Sequence, residues 1–127
     1  TNSTHGTSIT EALRRWRFNN ITHKNMSAIN TIWQHELLKR TIETWGEKSQ
    51  FEMAQEEATE LALAVRKFIR RGDDKSFQDL AGEIADVEIM IEQMKIIEAS
   101  LPMAIQQIKF EKLKRLEKRI DSHKFED

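Results

Sequence analysis

The fold is decided by QEEATELALAV, residues 55–65, and LAGEIADVEIM, residues 80–90. In both stretches apolar residues recur every three or four positions, which predicts two amphipathic helices. Each stretch also carries two acidic residues three positions apart, Glu57 with Glu60 and Glu83 with Asp86. Residues at that spacing share one face of a helix, so each acidic pair points in a single direction.

The segment between the two acidic pairs predicts a helical hairpin. The 22 residues that separate Glu60 from Glu83 leave room for a turn at Arg71-Gly72-Asp73. If the helices fold back antiparallel, all four carboxylates can meet in one small volume, where they repel one another unless a cation lies between them. Oxygen ligands on stiff helices suit a hard divalent ion such as Mg²⁺. Because acids at this spacing also occur on ordinary solvated helices, an exposed acidic face is the alternative.

Composition restricts the class of protein. The chain has 127 residues, enough for one domain with a modest core. Four Gly and one Pro are too few turn-formers for a many-stranded β fold, so we predict an all-α antiparallel bundle of four to five helices. The absence of Cys excludes disulfides and thiolate metal sites. No apolar run approaches the roughly 18 residues of a membrane span, so we expect a cytoplasmic protein without a membrane partner.

The predicted organisation is a helical domain with an extension at each end. Residues 1–27 are an N-terminal extension, disordered over 1–8 and followed by a short helix; residues 28–121 form the domain; residues 122–127 are a fraying tail. A Gly ends each of the first two domain helices, and Asp74 or Ser76 caps the third. The four domain helices are predicted over residues 27–44, 49–71, 74–99 and 102–121.

The predicted apolar stripes of the two hairpin helices are wide, and the hairpin leaves one flank of them uncovered. A second copy of the chain would usually bury that flank. We therefore expect at least a dimer. The stripes comprise Met53, Ala54, Ala58, Leu61, Val65, Phe68 and Ile69 in the first helix and Phe77, Leu80, Ile84, Val87, Met90, Ile91 and Met94 in the second.

The hairpin sequence resembles a known family. WGEKSQFEMAQEEATELALAVRKFIRRG, residues 45–72, followed by LAGEIADVEIMIEQM, residues 80–94, is similar to the MazG-type all-α nucleoside triphosphate pyrophosphohydrolases. Their signature is ExxE, a spacer of about twenty residues, and ExxD, and the similarity extends to Trp45-Gly46, Gln50 and Leu61. It covers roughly residues 28–120 and is greatest to the short single-domain members of bacteria and phages. Residues 1–27 match nothing in that family.

The resemblance implies hydrolysis of a nucleoside triphosphate, such as a dNTP, to the monophosphate and pyrophosphate, for cleaning or remodelling of nucleotide pools. It also implies a homodimer or homotetramer with sites completed across the interface. Glu56 or Glu57 is the candidate general base. By position, the ligands of Mg²⁺, for which Mn²⁺ can substitute, would be Glu57, Glu60, Glu83 and Asp86.

No P-loop or Gly-rich cradle is present, so metal and side chains must meet the phosphates. The candidate phosphate contacts are Lys67, Arg70, Arg71, Lys109, Lys112 and Arg115. For each of them a solvated basic face is the alternative. The candidate base and sugar contacts are Asn30, Trp33, Gln34, Trp45 and Gln50. For Trp33 core packing is the alternative.

A second function class stays open. A non-catalytic helical module could bind nucleic acid or a protein partner through the basic residues at 14–17 and 109–119. The net charge of −1 makes a general nucleic-acid binder the weaker alternative, because such proteins usually carry a clear basic excess. Base and sugar preference, the role of residues 1–27 and the choice between a housekeeping and a phage enzyme are left open by the sequence.

Overall fold

The structure, a computed structural model, describes residues 8–123, apart from the side chains of Trp16 and residues 18–25. Helices fill nearly all of this range and it contains no strand, which confirms the all-α prediction. None of these helices is long and apolar enough to cross a membrane. The four helices are α1 (Ile9–Trp45), α2 (Glu47–Arg71), α3 (Asp74–Ile97) and α4 (Leu101–His123).

Helix α1 is one continuous element of 37 residues, so the predicted separation into a short helix and a helix over 27–44 is wrong. The physical reason is that neither Gly nor Pro occurs between Gly6 and Gly46 to interrupt the helical hydrogen bonds. The helix crosses the predicted boundary at 27/28, and the chain divides into two compact units between Leu38 and Lys39. The predicted disorder of residues 1–8 and fraying of residues 122–127 fall mostly outside the described residues. Ser8 precedes α1, whereas Ser122 and His123 still belong to α4.

A two-residue connection turns α3 back on α2. Gly72 has the left-handed conformation with φ 58°, and its N–H donates to the carbonyl oxygen of Phe68 at 2.9 Å. Asp73, not the predicted Asp74 or Ser76, is the N-cap of α3. Its Oδ1 accepts from the backbone N–H of Ser76 at 2.9 Å, and the Ser76 Oγ accepts from the Asp73 N–H at 3.1 Å. This reciprocal cap fixes the start of α3.

The hairpin is held by a narrow line of contacts between α2 and α3. Near the turn the Phe68 and Phe77 rings meet with centroids 6.4 Å apart. Ala64 and Met90 are the apolar side chains that become buried among the described residues. The predicted stripes are therefore only partly covered, because each is wider than the contact with one facing helix. Those of their members that stay exposed are Met53, Ala58, Val65, Ile69, Phe77, Ile84 and Ile91.

Helix α4 contacts α3 near their three-residue connection. Leu101 and Ile105 are half-buried, and from Gln106 to His123 every residue of α4 is exposed. An amphipathic helix gains most of its stability from packing its apolar side. The second half of α4 therefore lacks, among the described residues, the packing that stabilises α2 and α3.

Candidate metal centre

Three of the four predicted carboxylates meet between α2 and α3. One oxygen from each of Glu57, Glu83 and Asp86 lies within 4.8 Å of the others. Glu57 precedes the turn by about as many residues as Asp86 follows it, so an antiparallel hairpin places them side by side. Glu83 lies one helical turn before Asp86 on the same face. The hairpin thus brings the predicted acidic pairs into one volume.

The cluster forms the floor of an open cleft of about 580 Å³. Glu60 lines this cleft but does not belong to the group of three, and its side chain is exposed. Glu56, the other candidate general base, also lines the cleft and is exposed. The predicted four-acid site is therefore a core of three acids with Glu60 at its edge.

The carboxylates of the cluster lie close enough to repel one another, and Glu57 shows the effect. Burial of the Glu57 carboxyl raises its pKa above the ordinary value, and the negative charges of Asp86, Glu83 and Glu60 and a hydrogen bond with Glu83 raise it further. The Oε2 of Glu83 is buried and has no hydrogen-bond partner among the described residues. A buried carboxylate oxygen without a donor is costly unless a proton or a metal ion satisfies it. The residues therefore fit a hard divalent cation such as Mg²⁺.

The predicted phosphate contacts lie outside the cleft lining. The described residues that line the cleft are acidic or uncharged and include no Lys or Arg. Two groups of cations were predicted, one at the end of α2 and one on α4, and all of them are exposed. Their contact with a substrate stays a prediction for Lys67, Arg70, Arg71, Lys109, Lys112 and Arg115.

The predicted base and sugar contacts are divided between the two compact units. Asn30 and Trp33 line a groove in the first unit together with Met26, Ser27 and Ile29. Gln34 belongs to the same unit and is exposed. In the second unit Trp45 is exposed, whereas Gln50 is almost fully buried in α2. Their roles as base or sugar contacts stay a prediction.

Three polar residues near the hairpin contact were not predicted. Gln55 and Thr59 line the cleft, and the Thr59 hydroxyl donates to the Gln55 carbonyl oxygen at 3.0 Å. Gln93 is buried on α3, and its Oε1 has no hydrogen-bond partner among the described residues. Its position was a signal in the sequence, because Gln93 follows Asp86 by seven residues and so lies on the same side of the helix.

Comparisons with protein-family models, with curated proteins and with solved structures find no match to this chain.

Proposed function

We propose that this chain is a Mg²⁺-dependent nucleoside triphosphate pyrophosphohydrolase that acts on deoxynucleotides and cleans or remodels their pool. The observation that supports the proposal most strongly is that oxygens of Glu57, Glu83 and Asp86 lie within 4.8 Å of one another. In addition, the buried Oε2 of Glu83 has no hydrogen-bond donor among the described residues. The order of the acids, ExxE then ExxD, and the resemblance to MazG-type enzymes support the same function.

In this proposal Glu57, Glu83 and Asp86 hold the metal, with Glu60 at the edge of the cleft. A Mg²⁺ ion held by these residues would neutralise the charge of phosphoryl oxygens and orient them. The cleft is open, and its volume of about 580 Å³ admits a triphosphate chain. The exposed cations of α2 and α4 are the candidates for the remaining phosphate charge.

The general base is Glu56 or Glu57, both of which line the cleft. A carboxylate in this position takes a proton from the attacking water at one of its oxygens. The environment of Glu57 raises the pKa of its carboxyl above the ordinary value, so its carboxylate accepts a proton more readily than an ordinary one. Glu56 is exposed and lines the same cleft, so it is the candidate base if Glu57 serves as a metal ligand.

Self-association belongs to the proposal. Only two apolar side chains are buried among the described residues, and large apolar side chains are exposed on every helix. Large exposed apolar surfaces are typical of chains that associate. We infer that the active form is a homodimer or homotetramer.

The test is a panel of standard and damaged dNTPs assayed for pyrophosphate with Mg²⁺. The proposal expects release of pyrophosphate and the nucleoside monophosphate from at least one of them, dependence on Mg²⁺ or Mn²⁺, and loss on addition of a chelator. Release of orthophosphate instead, or turnover that persists with chelator, would contradict it.

A non-catalytic interaction module is the second candidate. The observation that favours it is the exposure of the basic residues on α4, together with Arg14, Arg15 and Arg17 on α1. A module that binds nucleic acid through these cations loses affinity steeply with added salt, with a slope set by the number of phosphates contacted. It would also be insensitive to substitution of Glu83 or Asp86. A gel-shift series in increasing salt separates the two candidates.

A further inference from the structure

Helix α4 has an apolar side that no described residue covers. We define the α4 seam as Ile108, Lys112, Leu116 and Ile120, which follow one another at intervals of four and lie on one side of the helix. Its apolar members are 50%, 47% and 50% exposed in chain order. Because a helix of this length is only marginally stable alone in water, the seam requires a partner surface.

Helix α3 has an uncovered apolar line of matching length. We define the α3 stripe as Phe77, Ile84 and Ile91, which are seven residues apart and 54%, 41% and 36% exposed. The Phe77 ring also meets Phe68 near the turn, so at that end of the stripe only the outer part of the side chain is open to a partner. At 100° per residue, Ile84 lies roughly 160° around the helix from Asp86, so the stripe points away from the metal centre. The stripe spans about 21 Å of helix and the α4 seam about 18 Å.

We propose that the α3 stripe of one copy of the chain binds the α4 seam of a second copy, in a reciprocal exchange that forms a twofold dimer. This inference names the surface by which the chain associates and does not depend on the proposed enzymatic activity. Exchange of an identical element between copies is a low-cost route to a dimer.

The charges select this pairing. Helix α3 contains six acidic and two basic residues, whereas α4 contains six basic and three acidic residues. Lys112 lies within the α4 seam, and Glu88 borders the α3 stripe, four residues after Ile84 and three before Ile91. Pairing of α4 with a second α4 would bring together two helices that each carry an excess of positive charge. Pairing with α3 gives Lys112 an acidic neighbour.

The proposed exchange is also consistent with twofold symmetry and with the area that a stable dimer buries. A twofold exchange makes the same contact twice, and both uncovered surfaces of each copy are used. Two helix contacts of roughly 20 Å bury an area on the order of the ~1,600 Å² that stable complexes need. A dimer of hairpins joined through their α3 stripes would leave both α4 seams exposed and would place Glu88 of each copy in one acidic interface.

The first test measures mass in solution. The chain of 14.9 kDa should sediment as a dimer of about twice that mass at micromolar concentration. The double variant Ile108→Glu/Leu116→Glu should raise the dissociation constant at least ~100-fold, because two carboxylates would enter an apolar contact. Phe110→Glu is the matched control, since Phe110 lies on another side of α4 and is 62% exposed. A monomeric native chain, or a dimer that withstands the double variant, would overturn the proposal.

The second test identifies the contact directly and does not depend on a variant that weakens it. The chain contains no Cys, so introduced thiols pair only with each other. Ile84 and Leu116 lie near the middle of the stripe and the seam and therefore meet whichever way the helices run. Mixing chains that carry Ile84→Cys with chains that carry Leu116→Cys should give a disulfide-linked heterodimer under mild oxidation.

Ile89→Cys is the matched control on α3, because Ile89 lies about 140° around the helix from Ile84. Mixed with Leu116→Cys chains, it should stay uncrosslinked. In the mixing experiment, disulfide-linked homodimers of Ile84→Cys chains, or equal crosslinking of the control, would overturn the exchange. A separate chain that carries both Ile84→Cys and Ile29→Cys gives a third outcome against it, a disulfide within that chain. The last would identify α1 of the same chain as the occupant of the α3 stripe.

Discussion

The α2–α3 hairpin and α4 are built from similar amphipathic helices, but among the described residues the hairpin buries apolar side chains, whereas α4 only half-buries Leu101 and Ile105. A left-handed Gly72 and the Asp73 cap hold α3 against α2, so Ala64 and Met90 are buried between them. In α4, every side chain after Ile105 is exposed. The difference indicates that α2 and α3 pack against each other within one chain, whereas most of α4 packs against no other described residue. Packing of this kind is what can hold three carboxylates close together despite their repulsion.

The hairpin carries the proposed chemistry, so the largest effect is expected there. Glu83→Gln and Asp86→Asn should each lower kcat/KM for pyrophosphate release at least ~1,000-fold, because each removes a ligand charge from the metal centre. Glu92→Gln is the matched control on α3, since Glu92 is exposed and paired with Lys95 at 3.1 Å. Steady-state assays should find its activity unchanged. Retention of activity in Glu83→Gln would show that the cluster does not hold the catalytic metal.

Two large-to-small substitutions, one on α3 and one on α4, compare how much each helix contributes to the free energy of unfolding. Met90→Ala should lower the free energy of unfolding by about 2–5 kcal/mol, because it leaves a cavity between α2 and α3. Phe110→Ala should change it by less than about 1 kcal/mol, since the Phe110 ring is exposed. Urea denaturation followed by circular dichroism measures both. Equal losses would mean that α4 is packed as closely as the hairpin.

Metal binding should offset the repulsion among the carboxylates of the hairpin, and the stabilisation gained should depend on pH. The folded-state pKa of Glu57 lies above its ordinary value of 4.5, so between those values the metal-free folded chain binds more protons than the unfolded chain. Its stability from this group therefore falls as pH rises through that window. At about ten times its Kd, Mg²⁺ should add about 1.4 kcal/mol near neutral pH.

The gain from Mg²⁺ should disappear as the pH approaches 4.5 because protons then compete for the carboxylates. Thermal unfolding with and without Mg²⁺ across this range measures the effect, with Glu83→Gln as the variant that should lose it. A rise in Tm that is the same in Glu83→Gln would place the bound ion elsewhere.

The smallest effect concerns the turn that makes the hairpin possible. Gly72→Ala should destabilise the chain by about 1 kcal/mol, because φ of 58° is strained for a residue with a Cβ atom. Gly82→Ala is the matched control inside α3. A Cβ atom there meets nothing within 4 Å, so the higher helix propensity of Ala should stabilise by up to about 1 kcal/mol. We expect Tm to fall in Gly72→Ala and to rise in Gly82→Ala. An unchanged Tm in Gly72→Ala would contradict the claim that the left-handed conformation of Gly72 stabilises the turn.

Much of the hairpin could be predicted from the sequence because its signals are local. The apolar period of 55–65 and 80–90, the i,i+3 acids and the stop at Gly72 each act within a few residues. The separation of Glu60 from the group of three could not be predicted, because it depends on the rotation of α2 against α3. The unbroken α1 was not predicted, although the sequence has no Gly or Pro between Gly6 and Gly46 that would interrupt it.

The partners of the exposed surfaces could not be predicted residue by residue. Period and composition indicate that a helix such as α4 is amphipathic, but they do not say which surface it contacts. That depends on contacts between residues far apart in the sequence or in different copies. The burial of Gln93 is a similar case, since it depends on tertiary packing that the helical period of α3 does not specify.

The metal centre between α2 and α3 is tested most directly by isothermal titration calorimetry, in which Mn²⁺ is added to the metal-free protein. We expect saturable binding to the native chain and its loss in the variant Glu57→Gln/Glu83→Gln/Asp86→Asn, whose helical content by circular dichroism should be unchanged. Equal Mn²⁺ binding by the native chain and this variant would contradict a metal centre between α2 and α3.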